Sequence, residues 1–161
     1  MINQRVTEIA GLLLQRREWL AVAESCTGGY IAKSLTDLAG SSGWFESGYV
    51  TYSNRAKAAA LGVPEAVLTE HGAVSEATAL AMAAGVLTAA PVTWSIAVTG
   101  VAGPGGGTAE KPVGTVWIAS ARRDGPATAR LFRFEGDRES VRAQTVRAAL
   151  DILLDRLRHG A

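Results

Sequence analysis

The sequence is short of cysteine, histidine and net charge, and each shortage excludes a class of protein. Its one cysteine, Cys26, allows neither an internal disulfide nor a cysteine-rich zinc site, and it fits a reducing cytoplasm. The two histidines, His71 and His159, are far apart in the chain and have no cluster of other ligands around them, so we expect no metal and no cofactor. The formal charge of +1 creates no overall field, so we expect neither nucleic acid nor a membrane as a partner.

Long hydrophobic runs are also missing. No segment has the roughly 18 consecutive apolar residues of a membrane span, and the charged, amphipathic stretch at 1–20 is wrong for a signal peptide. We therefore expect a soluble, cytoplasmic protein. A length of 161 residues with 48% hydrophobic content is enough for one core and too short for two ordinary ones, which predicts a single domain over residues 1–161.

Apolar patterns of helical period alternate with short runs typical of buried strands. The predicted helices cover 3–17, 30 to just before Gly40, 55–61, a brief stretch after Pro64, Ser75 to Ala90, and 138–158. The predicted strands cover 19–23, 44–52, 92–98, 115–121 and 127–134. This alternation predicts an α/β protein, a three-layer α/β/α sandwich around a mixed sheet of about five strands. The last two strands are expected to pair antiparallel around 123–125.

One glycine-rich loop, at 103–107, follows a predicted strand. It lacks the Gly-Lys-Ser/Thr ending of a phosphate-binding P-loop and the G-x-G-x-x-G spacing of a dinucleotide site. Two interpretations are equally open: a backbone that approaches a ligand closely, or a flexible hairpin-like excursion.

The first predicted strand runs into the segment 25–29, where a helix is about to start. Free backbone N–H groups and the helix dipole make such a junction a natural anion or oxyanion site. The alternative is ordinary helix capping by Ser25 or Thr27. Cys26 has no histidine marked as its base, so a cysteine-histidine dyad is disfavoured, and so is a serine-histidine-aspartate triad.

Lys57 is the more interesting candidate base. A helix capped by Ser53 or Asn54 places Lys57 in about its first turn, at the positive end of the dipole, next to an alanine-rich flank that could bury it. Both effects lower the pKa expected for the lysine, although a solvated surface lysine is the plain alternative. Two serines in the preceding loop, Ser41 and Ser42, could be activated by such a base or could simply form a turn.

Two arginines open the last predicted helix. Arg138 and Arg142 are four residues apart and therefore lie on one face of its first turns. They could clamp an anion such as a phosphate. Pairing with Asp137 or Glu139 is the alternative.

These features occur together in an arrangement that resembles the CinA C-terminal domain family. The resemblance covers nearly the whole chain and rests on AESCTGG at 23–29, DLAGSSGWFESGYVTYSNRAK at 37–57, HGAVSE at 71–76, AVTGVAGPGGGTAEKPVGTVW at 97–117, and FEGDR followed by VR at 134–142. Stand-alone members of that family are nicotinamide mononucleotide deamidases. The resemblance thus implies hydrolysis of the carboxamide of nicotinamide mononucleotide to nicotinate mononucleotide and ammonia, in pyridine-nucleotide recycling, by a serine and a lysine without a metal.

The resemblance also implies roles for individual residues. Ser42 is the first candidate for the nucleophile, Lys57 is its general base, and Tyr52 lies nearby to orient groups or shuttle a proton. Ser25 is the competing nucleophile because it lies at a strand-to-helix turn. The implied substrate-binding residues are Thr27, Gly28, Gly29, Thr99, Gly100, Gly103, Arg138 and Arg142. Either arginine, or both, would hold the 5′-phosphate.

Two other functions stay open at this stage. One is a non-catalytic, nucleotide-binding regulatory module, which the retention of Ser42, Tyr52 and Lys57 together argues against. The other is hydrolysis of a different nucleotide amide or ester. A homodimer is expected by family analogy, with Trp44, Phe45 and Tyr49 either in the core or against the partner subunit.

Overall fold

A computed structural model describes residues 1–159 of the chain. Its helices are α1 (Ile2–Arg16), α2 (Tyr30–Thr36), α3 (Asn54–Leu61), α4 (Glu65–His71), α5 (Glu76–Ala89) and α6 (Arg138–His159). Its strands are β1 (Leu20–Glu24), β2 (Phe45–Val50), β3 (Trp94–Gly100), β4 (Thr115–Arg122) and β5 (Ala127–Arg133). A short 3-10 helix, Ser41–Gly43, precedes β2 and was not predicted.

The strands form one five-stranded sheet in the order β2-β1-β3-β4-β5. β1 is parallel to both β2 and β3, β4 is antiparallel to β3, and β5 is antiparallel to β4. The predicted mixed sheet and the antiparallel pairing of the last two strands are confirmed. Because β1, β2 and β3 are parallel, the chain leaves all three at the same edge of the sheet, where open α/β folds place their ligand sites.

Helices cover both faces of the sheet, which confirms the predicted three-layer sandwich. Alternate residues of β1 show the division: Leu20 and Val22 pack into the cluster formed with α1, α2 and α6, whereas Ala21 and Ala23 pack toward α5. Trp44 lies in the first cluster and is almost fully buried. No helix within residues 1–159 has the length and apolar character needed to cross a membrane.

The local signals in the sequence place most element boundaries within two residues. Ser53 caps α3 by accepting a hydrogen bond from the N–H of Ala56 at 3.0 Å, and Ser75 caps α5 by accepting from the N–H of Thr78 at 3.1 Å. The helix predicted to reach Gly40 ends earlier, at Thr36.

Substitution by alanine is expected to have opposite effects on stability at two glycines inside helices. A Cβ added at Gly85 in α5 would lie 2.1 Å from the carbonyl oxygen of Leu61, at the end of α3, whereas a Cβ at Gly11 in α1 would meet nothing within 4 Å. We expect Gly85→Ala to lower the free energy of unfolding by about 1–3 kcal/mol through overpacking. We expect Gly11→Ala to raise it by about 0.5–1 kcal/mol through helix propensity. Urea denaturation measures both, and equal stability of the two variants would contradict the packing of α5 on α3.

Candidate active site

A cleft of about 290 Å³ lies at the edge of the sheet where the chain leaves β1, β2 and β3. Loops following these strands supply most of its lining. The lining residues are Ser25, Cys26, Tyr52, Lys57, Ala73, Val74, Thr99, Gly100, Val101, Ala102, Gly103, Gly105, Gly106 and Arg138. The cleft therefore gathers residues that are far apart in the sequence, including several of the predicted site residues.

Lys57 and Ser25 are in direct contact in this cleft. Nζ of Lys57 lies 3.0 Å from Oγ of Ser25, and it also lies 3.1 Å from the carbonyl oxygens of Thr51 and of Tyr52. A carbonyl oxygen can only accept hydrogen bonds, so the two N–H bonds of a neutral Lys57 amine point at these two oxygens. In this neutral form the lone pair of the amine faces the hydroxyl of Ser25, which is the arrangement of a base and its nucleophile, whereas the ammonium form donates to Oγ of Ser25.

The surroundings of Lys57 favour the neutral amine. Its side chain is only 1% exposed, and this burial lowers the pKa of Lys57 below its ordinary value of 10.5. Lys57 is the fourth residue of α3, and its backbone N–H donates to the carbonyl oxygen of Ser53 at 3.1 Å. The predicted position in the first turn and the predicted direction of the pKa shift are both confirmed.

The structure separates Ser42 from Lys57. Ser42 is an exposed residue of the 3-10 helix that precedes β2, whereas Lys57 follows the other end of that strand. The six residues of β2 between them span about 20 Å at ~3.3 Å per residue. The expectation that Ser42 would be the serine next to the lysine is therefore corrected: its closeness in sequence was misleading, because a whole strand intervenes.

Tyr52 and Arg138 meet at the mouth of the cleft. The hydroxyl of Tyr52 accepts a hydrogen bond from Nη2 of Arg138 at 3.0 Å, while Nη1 of Arg138 donates to the carbonyl oxygen of Gly103 at 2.8 Å. It is the main-chain oxygen of Tyr52, and not its hydroxyl, that contacts Lys57. Tyr52 is 58% exposed, and its hydroxyl contacts Arg138.

The two predicted arginines are in different places. Arg138 lines the cleft, but Arg142 lies behind the turn at 25–29, where Nη2 donates to the carbonyl oxygen of Thr27 at 2.9 Å. Nε of Arg142 is buried and has no hydrogen-bond partner within residues 1–159. Asp137 caps the start of α6 by accepting from the N–H of Ser140 at 2.9 Å. The position of Arg138 is the one from which a bound anion could be reached.

The turn at 25–29 differs from the expected anion site, because a side chain of the protein fills the start of α2. The carboxylate of Glu24 accepts hydrogen bonds from the hydroxyl of Thr27 and from the N–H groups of Ile31 and Ala32, at 2.6 to 2.9 Å. Thr27, Gly28 and Gly29 are not among the residues that line the cleft. Glu24 was not predicted as a site residue. Its signal in the sequence is an acidic residue that ends a buried strand before a helix with a glycine cap.

The turn nevertheless keeps backbone donors next to Ser25. The N–H of Ser25 is used by the carbonyl oxygen of Val98, at 3.2 Å. In the part of the chain that the structure describes, the N–H groups of Cys26 and Thr27 donate to no protein oxygen. The N–H after a nucleophilic serine is a common oxyanion donor in hydrolases, so Cys26 is the candidate donor.

The end of β3 contributes Thr99 and Gly100 to the lining of the cleft, and the loop that follows it contributes Gly103. The hydroxyl of buried Thr99 donates to the carbonyl oxygen of Ala73 at 2.8 Å and so ties β3 to the loop before α5. A Cβ at Gly100 would lie 2.6 Å from a methyl group of Val116, so only glycine fits there. These residues shape the wall of the cleft by close backbone packing.

Other reactive side chains are less suited to chemistry here. Burial raises the pKa of the Cys26 thiol to about 11, so it stays protonated at neutral pH. His71 is exposed and lies outside the lining of the cleft. Among residues 1–159, no three His, Cys, Asp or Glu side chains are grouped so that they could hold a metal ion.

Comparison with known proteins gives a consistent picture. Residues 2–157 match the family model described as the CinA C-terminal domain. The chain is 50% identical over 152 residues to nicotinamide-nucleotide amidohydrolase PncC of Escherichia coli K12, covering 94% of this chain and 92% of that one. It is 50% identical over 153 residues to the protein of the same name from Enterobacter agglomerans, covering 95% and 93%.

Solved structures of similar proteins share the fold. A competence/damage-inducible protein from Agrobacterium tumefaciens is 44% identical with a TM-score of 0.94, covering 96% of this chain and 94% of that one. A CinA superfamily protein from Klebsiella pneumoniae is 41% identical with a TM-score of 0.94, covering 99% of both chains.

The lowered pKa of buried Lys57 predicts how the stability of the protein depends on pH. Between the lowered pKa of folded Lys57 and the value of 10.5 in the unfolded chain, the unfolded chain holds a proton that the folded protein has released. The contribution of Lys57 to the free energy of unfolding therefore rises with pH across this window. We expect Lys57→Met to lack this rise, so wild type gains stability relative to the variant as pH increases toward 10.5.

Urea denaturation at a series of pH values measures the difference between the two proteins. Cys26 titrates in both, so its contribution largely cancels. A difference that stays constant with pH would mean that Lys57 titrates normally.

Proposed function

Because the chain belongs to the CinA C-terminal domain family, we propose that it hydrolyses the carboxamide of nicotinamide mononucleotide to nicotinate mononucleotide and ammonia, in pyridine-nucleotide recycling. Relatives with about half of its residues identical over nearly the whole chain are named for this reaction. The observation that carries the mechanism is the 3.0 Å contact between Oγ of Ser25 and Nζ of buried Lys57.

In the first half of the reaction, Oγ of Ser25 attacks the carboxamide carbon while neutral Lys57 takes the hydroxyl proton. The tetrahedral intermediate carries its negative charge on the former carbonyl oxygen, and the N–H of Cys26 is its proposed donor. Collapse breaks the carbon–nitrogen bond, and the leaving nitrogen takes the proton from Lys57 and departs as ammonia. Ser25 is left as the nicotinoyl ester of the mononucleotide.

In the second half, water attacks the ester carbon and Lys57 takes a proton from this water. The oxygen of Ser25 then leaves and takes the proton back, which releases nicotinate mononucleotide and restores the starting state. The carbonyl oxygens of Thr51 and Tyr52 hold the amine in both halves, so the same lone pair serves Ser25 and the water. The lowered pKa of Lys57 increases the fraction of neutral amine near neutral pH.

The charges around the cleft support one orientation of the substrate. The start of α2, next to Ser25, is already occupied by the carboxylate of Glu24, which leaves no place there for a second anion. Arg138 lines the same cleft with its guanidinium hydrogen-bonded to Tyr52 and Gly103. The 5′-phosphate would bind at Arg138, and the carboxamide would then reach Ser25.

A homodimer and a cytoplasmic location are further proposals that rest on family analogy. Trp44 is buried in the core of its own chain, so it is not available to a partner subunit. Phe45 and Tyr49 are half-buried against the two sides of the sheet.

Serine substitutions test the proposed nucleophile. With nicotinamide mononucleotide as substrate and no added metal, we expect wild type to release ammonia and Ser25→Ala to lose about 10³-fold or more in kcat, because no ester can form. Ser42→Ala is the matched control and should stay within about twofold of wild type, since Ser42 lies at the opposite end of β2. Loss of activity in Ser42→Ala alone would reverse the assignment.

The same ammonia assay tests the function itself. Nicotinamide and nicotinamide riboside serve as comparison substrates that lack the phosphate. If wild type releases no ammonia from the mononucleotide, the proposed function fails, and the fold then serves another nucleotide amide or a binding role.

Substitution of Arg138 tests the place of the phosphate. Arg138→Met removes the charged partner, so we expect KM for the mononucleotide to rise by about 10–100-fold, which corresponds to a charged hydrogen bond of about 1.5–3 kcal/mol. Activity toward nicotinamide riboside, which has no phosphate, should stay within about twofold of wild type. Arg147→Met makes the same charge change at an exposed position on α6 and is the control. An equal loss with both substrates would show that Arg138 does not bind phosphate.

A further inference from the structure

Glu24, the last residue of β1, is a fully buried carboxylate that the mechanism above does not use. Oε1 accepts hydrogen bonds from the hydroxyl of Thr27 at 2.6 Å and from the N–H of Ile31 at 2.8 Å, and Oε2 accepts from the N–H of Ala32 at 2.9 Å. Its exposure is 0%. A buried carboxylate is tolerated only with such partners, so Glu24 and the start of α2 are bound to each other tightly.

The need for Glu24 follows from the local sequence. α2 begins at Tyr30, and its N-cap is Gly29, which has no side chain to accept from the first free N–H groups. Glu24 supplies that acceptor from five residues upstream, and its charge lies at the positive end of the helix. One side chain therefore joins the end of the strand to the start of the helix.

The segment between these two attachment points contains the proposed nucleophile. Its backbone is held at one end by the hydrogen bond from Ser25 N–H to the carbonyl oxygen of Val98, and within the turn by the bond from Gly28 N–H to the carbonyl oxygen of Ser25 at 3.1 Å. Gly28 and Gly29 both have positive φ, so the turn has a backbone path that other residues rarely adopt. The direction of the Cys26 N–H thus depends on where Glu24 holds the helix.

We propose that Glu24 is a positioning residue, which holds the Ser25 hydroxyl and the Cys26 N–H in the geometry that the transition state requires. The inference rests on the proposed function for the identity of the reaction. Glu24 does not line the cleft and touches no group of the substrate in this arrangement. Glu24 acts through Thr27 and α2 on the Ser25 hydroxyl and the Cys26 N–H. These two groups stabilise the transition state more than they stabilise the bound substrate.

Glu24→Gln is the direct test. Glutamine keeps the size of the side chain and one acceptor oxygen, but its amide nitrogen cannot accept from the N–H of Ala32. We expect kcat for the mononucleotide to fall about 10–100-fold while KM changes by no more than about twofold. The acid limb of the pH–rate profile should keep its midpoint, because that limb reports Lys57, which Glu24 does not contact. Asp37→Asn removes one negative charge at the exposed far end of α2 and is the control for net charge.

A pair of substitutions at Thr27 keeps the proposal testable if the glutamine variant fails to fold. Thr27→Val removes the hydroxyl donor to Glu24 with little change of shape at a fully buried position, and Thr27→Ser keeps it. We expect the valine variant to lose about 3–10-fold in kcat and the serine variant to stay within about twofold of wild type. Equal activities of the two variants would overturn the role of the contact.

A second measurement separates this proposal from the proposed function. Acetylation of Ser25 by p-nitrophenyl acetate, followed as a mass increase on the Ser25 peptide, needs the nucleophile and its donors but no nucleotide. We expect labelling to be at least about fivefold slower in Glu24→Gln than in wild type. If wild type is labelled but releases no ammonia from the mononucleotide, the proposed function is refuted. The ratio of the labelling rates of wild type and Glu24→Gln then still tests the role of Glu24.

A folded Glu24→Gln variant with kcat and labelling rate within twofold of wild type would overturn the inference. A raised KM with an unchanged kcat would overturn the inference as well. Glu24 would then affect the binding of substrate and transition state equally, and not the transition state specifically. Labelling of wild type at a residue other than Ser25 would refute both the nucleophile and the role of Glu24.

Discussion

The burial of one amine determines how the rest of the site is built. Lys57 is almost wholly removed from water, and its three neighbours are the hydroxyl of Ser25 and two carbonyl oxygens. Burial disfavours the ammonium form, and the two carbonyl oxygens leave the lone pair of the neutral amine facing the serine. The proposed general base and its orientation thus come from the same packing. Nothing in this arrangement requires a histidine, which agrees with a sequence that has only two.

The sheet explains how three distant segments reach that amine. Thr51 and Tyr52 follow β2, Ser25 follows β1, and the glycine-rich wall follows β3, and these three strands are parallel neighbours in the sheet. Parallel strands end at one edge, so their following loops are adjacent whatever their distance in sequence. The opposite charges are kept apart within this edge: Glu24 lies buried at the start of α2, and Arg138 faces the open side of the cleft. An anionic substrate then has one favourable direction.

Features with a local signal in the sequence were predicted correctly. Helix caps at Ser53 and Ser75, the periods of the helices and strands, and the position of Lys57 near the start of α3 follow from a few consecutive residues. It was wrong to place Ser42 beside Lys57, because closeness along the chain does not measure closeness in space when a strand lies between. The start of α2 was also predicted to be open to a ligand. The carboxylate that fills this position comes from a residue outside the helix, and no local capping pattern includes such a residue.

The α/β class, the order of helices and strands, and the similarity to one enzyme family follow from the sequence alone, since they depend on short-range periodicity and on strings of consecutive residues. The folded chain was needed to show which serine meets Lys57, that Arg138 and not Arg142 faces the cleft, and that Glu24 occupies the start of α2. Each of these depends on the order and direction of strands in the sheet. Strand order is set by hydrophobic packing between distant segments, and that packing is a property of the folded chain as a whole.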